Sequence, residues 1–150
     1  MTKPTVRLAD YKARGFECFA GNARMAARSA TKLYDERLRP SGLRATQLAV
    51  LWAVLALEPV TARRLATVIV SDETTLSRNL KVLAVDGLIQ LVPGEDRRSR
   101  LVTLTRAGRR ALERALPLWE QAQADMRESL GTHNAGALTR GLLQLASLGR

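Results

Sequence analysis

Three arginines, Arg97, Arg98 and Arg100, fall within four positions, just after Pro93-Gly94 and the acidic pair Glu95-Asp96. A guanidinium is a planar fork of five N–H donors, shaped for phosphate oxygens and for the edge of guanine. Lifted on a short turn, it also fits a narrow minor groove, where A·T-rich duplex has enhanced negative potential. Asp96 is placed to hold the Arg98 guanidinium extended through a bidentate pair. The alternative is an ordinary surface ion pair of little energetic weight. A second set precedes this one: Thr74, Thr75, Ser77, Arg78, Asn79 and Lys81, interleaved with Leu76, Leu80 and Leu83. Small polar and basic groups on the outward face of a helix reach base edges without clash, although a merely solvated face has the same composition.

Elements must position these side chains. From about Tyr11 to Arg39, Phe16, Phe19, Ala20, Ala23, Ala27, Ala30, Leu33, Tyr34 and Leu38 form a stripe of helical period. Its many alanines let another helix approach closely, and Pro40-Ser41-Gly42 stops it. A second helix from about Arg44 to Leu57 turns Leu48, Leu51, Trp52 and Leu55 inward and ends at Glu58-Pro59. Thr61 caps a short third helix, Ala62 to about Val68, and Ser71 or Asp72 caps a fourth, Glu73 to Asp86, closed by Gly87. The period then changes. Leu88–Val92 and Leu101–Leu104 read as two strands of a hairpin whose tip carries the arginine cluster. Thr105 caps a fifth helix to about Leu130, which Pro117 should bend or break. Thr132 or Asn134 caps a last one carrying Leu138, Leu142, Leu145 and Leu148. The fold class expected is mainly α with a small β-hairpin wing (α+β), and the block from 43 to 108 has the layout of a winged helix-turn-helix.

Composition narrows the chemistry. In 150 residues there are 24 Lys+Arg against 14 Asp+Glu, a formal charge of +10, with 46% hydrophobic residues. That charge points to a polyanion, most often nucleic acid. Its distribution is uneven: residues 1–60 hold 10 basic and 5 acidic side chains, residues 61–110 hold 10 and 5, and residues 111–150 hold 4 and 4. One Cys forms no internal disulfide, and Cys18 with His133 supplies too few ligands for a zinc site. No apolar run approaches the roughly 20 residues of a membrane helix. Nor is there a secretory h-region, so a cytoplasmic chain without membrane contact is expected. Phosphate loop, nucleophile elbow and oriented Cys/His pair are missing, which argues against an enzyme with catalytic residues, cofactor or metal.

Taken together, Asp86-Gly87-Leu88-Ile89, Asp96-x-Arg98-Ser99 and Leu104-Thr105-x-x-Gly108 resemble the MarR family of bacterial transcription regulators. Tyr34-Asp35-Glu36-Arg37-Leu38, Gly42-Leu43 and Gln47 add to the resemblance, which spans about residues 11–148. It implies a homodimer whose first, fifth and sixth helices intertwine. The division implied is an N-terminal arm and dimerisation helix (1–42), a winged DNA-binding domain (43–108) and C-terminal dimerisation helices (109–150). The fourth helix becomes the recognition helix. Thr74, Thr75, Ser77, Arg78 and Asn79 match its base- and phosphate-contacting turns, and Asp96 and Arg98 match the wing pair, with Arg98 in the minor groove. Two positions depart from the pattern. Arg44 stands where a capping Thr is usual, and Leu91 where the wing strand usually carries Arg. Wing contacts are therefore expected to concentrate on Arg97, Arg98 and Arg100.

The same resemblance implies a small aromatic or anionic effector bound between the dimer helices and the winged domain. Arg14, Phe16, Phe19, Arg24, Arg28, Trp52 and Trp119 are the candidate lining residues. Family members that sense hydroperoxides use a first-helix Cys, which aligns with Ala20 here, while their tyrosines align with Arg24 and Ala45. Cys18 lies off that position and is expected to be a small, buried or half-buried apolar side chain on the first helix rather than a redox switch. His133 is expected at the surface. The function expected is a sequence-specific dimeric regulator, most simply a repressor, released from a pseudo-palindromic operator in double-stranded DNA. The alternatives are an architectural or nonspecific nucleic-acid-binding protein, and a redox-sensing regulator built on Cys18.

Overall fold

The computed structural model describes residues 14–94 and 100–148. A 3₁₀ turn, Arg14–Glu17, leads into α1, Phe19–Leu38. The helix starts later than its apolar stripe suggests, because Cys18 is its cap and not a member. Cys18 is extended (φ −70°, ψ 110°) and exposed, not buried or half-buried as expected, because its Sγ caps the helix end by accepting from the Gly21 N–H at 3.4 Å. Phe16 therefore lies in the preceding turn. A 3₁₀ turn over Arg39–Ser41 and Gly42 at φ 78° end the helix, as the Pro-Ser-Gly run predicts.

Helix α2, Ala45–Leu57, shows how the odd Arg44 is accommodated. A guanidinium has no acceptor. Instead, the Asp35 Oδ1 on α1 accepts from the Ala45 N–H at 2.7 Å, and Gln47 Oε1 accepts from the Arg44 N–H at 2.9 Å. Leu48 and Leu51 are buried as expected, but Leu55 is exposed, and Val50 and Val54 fill the core in its place. The helix is apolar nearly all round, so its period alone does not tell the inward face.

Strand β1 (Val60–Thr61) precedes α3 (Ala62–Val68), which Thr61 caps by accepting from the Arg64 N–H at 3.2 Å. Helix α4, Glu73–Val85, is capped by Asp72 and closed by Gly87 at φ 68°. Between α3 and α4, Val70 holds a positive φ of 51°, a strained conformation for a β-branched residue. Strands β2 (Ile89–Pro93) and β3 (Arg100–Leu104) form an antiparallel hairpin with Ile89 opposite Leu104 and Pro93 opposite Arg100. β1 pairs with the other edge of β3, Val60 opposite Val102, so the sheet order is β1-β3-β2.

Helix α5, Arg106–Leu130, runs unbroken through Pro117, so of the bend or break expected there, the break does not occur. Pro117 and Glu113, whose carbonyl the missing N–H leaves free, are both exposed. Water can satisfy that carbonyl while buried Ala111, Leu112, Ala115 and Ala122 hold the helix on either side. Helix α6, Thr132–Ser147, is capped by neither Thr132 nor Asn134; Gly131, at φ 74°, turns the chain into it. The core gathers Leu38, Leu51, Leu65, Leu76, Leu83, Val50, Val54 and Val102, none with more than 1% of its surface exposed. It lies inside the block from α2 to the start of α5, with α1 contributing its last turn.

Candidate nucleic-acid interface

Helix α4 stands outward because three leucines pull its other side into the core. Leu76, Leu80 and Leu83 are buried, while Thr74, Thr75, Ser77, Arg78 and Lys81 are exposed. Asn79 is half-buried, between the two faces, and is the one member of the expected set that does not stand outward. Arg78 and Lys81 take part in none of the three ion pairs formed among the described residues: Arg14–Glu17, Arg37–Asp125 and Arg109–Glu58. The helix is anchored at its start by Asp72, whose Oδ1 accepts from the Thr75 N–H at 2.8 Å. The side-chain hydrogen bond to Thr75, then the backbone one, holds that carboxyl below the usual aspartate range. A carboxylate at this end also complements the helix dipole.

The hairpin stands beside this helix. Arg100 opens β3 and is exposed. Asp96, Arg97 and Arg98 lie outside the described residues. Leu91, on β2, is partly exposed.

The base of the hairpin is clamped to the rest of the domain by contacts that sequence reading missed. Glu58, just past α2, accepts from the Leu104 N–H at 2.7 Å and pairs with Arg109 on α5. Continued past Val60, the β1 register sets residue 58 opposite Leu104, so the carboxylate occupies the next rung of the ladder. One oxygen serves the strand and the other serves the helix. Thr105 adds a second clasp, donating to the Gly87 carbonyl at 2.6 Å and accepting from the Gly108 N–H at 3.0 Å. Gly108 is required by space: a Cβ there would lie 2.0 Å from the Leu88 carbonyl oxygen. The Leu-Thr-x-x-Gly signal was legible, but the Glu58 clamp, spanning 46 residues, left no local trace.

A family model described as a winged helix DNA-binding domain matches residues 43–108. The transcriptional regulator MosR of M. tuberculosis, solved in complex with DNA, is 37% identical with a TM-score of 0.80, over 87% of this chain and 95% of that one. The chain belongs to the MarR family. This regulator is also 31% identical over 107 residues to the uncharacterized HTH-type transcriptional regulator YwoH of Bacillus subtilis, covering 69% of this chain and 78% of that protein. MarR from E. coli shares the fold at 24% identity and a TM-score of 0.71, over 85% of this chain and 96% of that one. The regulator is thus a winged helix DNA-binding protein of transcription control, and this reading points away from an enzyme. No single helix among the described residues is long and apolar enough to cross a membrane.

The seven residues weighed for an effector do not meet in one place within the chain. Trp52 and Trp119 pack edge to face, ring centroids 4.9 Å apart, against the core. Phe16 and Phe19 are more than 80% exposed, and Arg24 is exposed. Arg14 pairs with Glu17 beside Cys18. Arg28 lines a cavity of about 870 Å³ between α1 and the start of α2, with Lys32, Arg39, Arg44 and the capping Asp35. His133 is exposed on α6.

Proposed function

We propose that this regulator works as a homodimer that reads a pseudo-palindromic operator in double-stranded DNA and represses transcription there, in the cytoplasm. The observation that carries the reading is the outward face of α4, Thr74, Thr75, Ser77, Arg78 and Lys81, beside a hairpin whose second strand is opened by exposed Arg100. The relative solved on DNA supports it. Arg98, steadied by Asp96 and flanked by Arg97, is assigned to the minor groove, and Asn79 to the edge of the recognition surface. Dimerisation is assigned to residues 1–42 and 109–150, flanking the winged domain at 43–108. Phe19, Met25, Leu138, Leu142, Leu143 and Leu145 are all more than 40% exposed, an apolar surface that a second copy would cover. Two half-sites about 34 Å apart then match two recognition helices.

Release is assigned to a small aromatic or anionic effector that changes the separation of those helices. The cavity beside Arg28, lined by four cationic side chains and two carboxylates, is the place to look for the anionic form. Cys18 is assigned no redox role, since its sulfur serves as a cap and no second Cys is present.

Selection of bound sequences from a random duplex pool tests the reading. One pseudo-palindrome bound at least about 10³-fold above random DNA is expected. Arg78→Ala and Arg98→Ala should each weaken it more than about tenfold at fixed salt. Equal loss on every sequence would favour an architectural protein instead.

A further inference from the structure

The outward face of α4 carries two large apolar side chains among its polar ones. Val82 is 50% exposed and Val85 87%. At 100° per residue, Thr75, Arg78, Val82 and Val85 fall on one line along the helix, each three or four residues from the last. Core packing does not account for them, because Leu76, Leu80 and Leu83 face the other way. A β-branched residue on an open helix face also lowers local helix stability relative to alanine or lysine. Val82 is the more informative of the two. It follows Thr75 by two turns and Arg78 by one, so whatever those side chains face, Val82 faces too.

A DNA major groove offers one apolar group at base level, the C5 methyl of thymine. Arg78 and Lys81, a turn before and one residue before Val82, are exposed, and in the proposed recognition role they would hold the phosphates or guanine edges that bring the groove to this face. From this placement we infer that Val82 is a specificity-determining residue, reading the 5-methyl group of one thymine in each operator half-site. The inference rests on the proposed recognition role of α4. Polar neighbours select by hydrogen bonds, and Val82 selects by excluding water from one methyl. That methyl distinguishes thymine both from cytosine and from uracil at the same position.

The test uses the full-length protein and the consensus duplex obtained by selection. Each thymine in turn is replaced by deoxyuridine, which removes the methyl and leaves every hydrogen bond in place. With the wild-type protein, one symmetry-related thymine per half-site should lose about fourfold in affinity, the worth of one buried methyl. Val82→Ala should bind the unmodified site more weakly and lose that sensitivity, while other positions keep their pattern. It should also fold, since alanine is the better helix former at an exposed site. Val85→Ala serves as the comparator and should keep the sensitivity. Several results would overturn the inference: no thymine sensitive in the wild type, sensitivity surviving in Val82→Ala, or sensitivity lost only in Val85→Ala. A pool that yields no consensus, with Arg78→Ala binding like wild type, would remove the recognition helix itself and this inference with it.

Discussion

The winged block and the flanking helices solve the same problem differently. Between α2 and the start of α5, leucines and valines close on one another until Leu51, Leu65, Leu83, Val54 and Val102 show no exposed surface. Helix α6 has comparable leucines and buries none: Leu138, Leu142 and Leu145 stay 42–46% exposed and Leu143 64%, and Leu148, just past its end, is 79% exposed. Most of α1 behaves in the same way, with Leu38 its one buried residue. Amphipathic helices occur in both regions, α4 in one and α6 in the other, so amphipathicity does not separate them. What separates them is whether the chain itself supplies a partner for the apolar face. The block closes its core with help from the last turn of α1, whereas the rest of α1 and α6 leave an apolar surface exposed, the one assigned above to the proposed second copy.

Substitutions can break that contrast from either side. The largest effect is expected inside the block. Gly108→Ala drives a Cβ against the Leu88 carbonyl and cannot be relieved by a flexible side chain. A loss of about 3 kcal/mol, at the upper end for overpacking, lowers Tm by roughly 10 °C in a chain of this size. Calorimetry or thermal circular dichroism reads it. A Tm within a degree or two of wild type would mean that the wing base yields easily.

Leu142→Asp probes the open side. A charge on an apolar surface bound for burial costs little in the isolated chain and much at a dimer interface. Sedimentation should show a monomer in which the winged block keeps its fold, with operator affinity down at least about tenfold. If the variant stays dimeric, the second copy sits elsewhere; if it unfolds, the two regions are less separable than their burial suggests.

The smallest effect concerns the boundary of the recognition helix. The Asp72 carboxyl titrates below its ordinary value when folded, because Thr75 hydrogen bonds favour its charged form. Its contribution is therefore complete above the pKa of the unfolded chain and is lost as pH falls through the lower folded value. Wild type and Asp72→Asn should converge in stability as the solution is acidified from neutral pH through that window. Denaturant titrations across the range read the difference, and a constant gap would assign the cap elsewhere.

Local chemistry carried much of this fold. Thr61, Asp72 and Thr105 each accept from the N–H three residues on, and helices begin where those caps sit. The hairpin strands lie within one residue of their β-rich runs, because two such runs separated by a turn sequence pair with each other. Most of the expected α4 surface was equally legible, since the positions of three leucines dictate which side faces out.

Other features depended on residues distant along the chain. β1 is two residues long and exists because β3 presents it an edge. Leu55 faces solvent although its type suggests the core, and Cys18 caps a helix that its neighbours' stripe would have included. Glu58 reads as a helix end until Leu104 and Arg109 arrive beside it. Caps, turns and periods are settled within a few residues, where torsions and nearby donors set the energy. Which apolar face finds a partner, and which carboxylate completes a sheet, depends on groups brought together only by the packed chain.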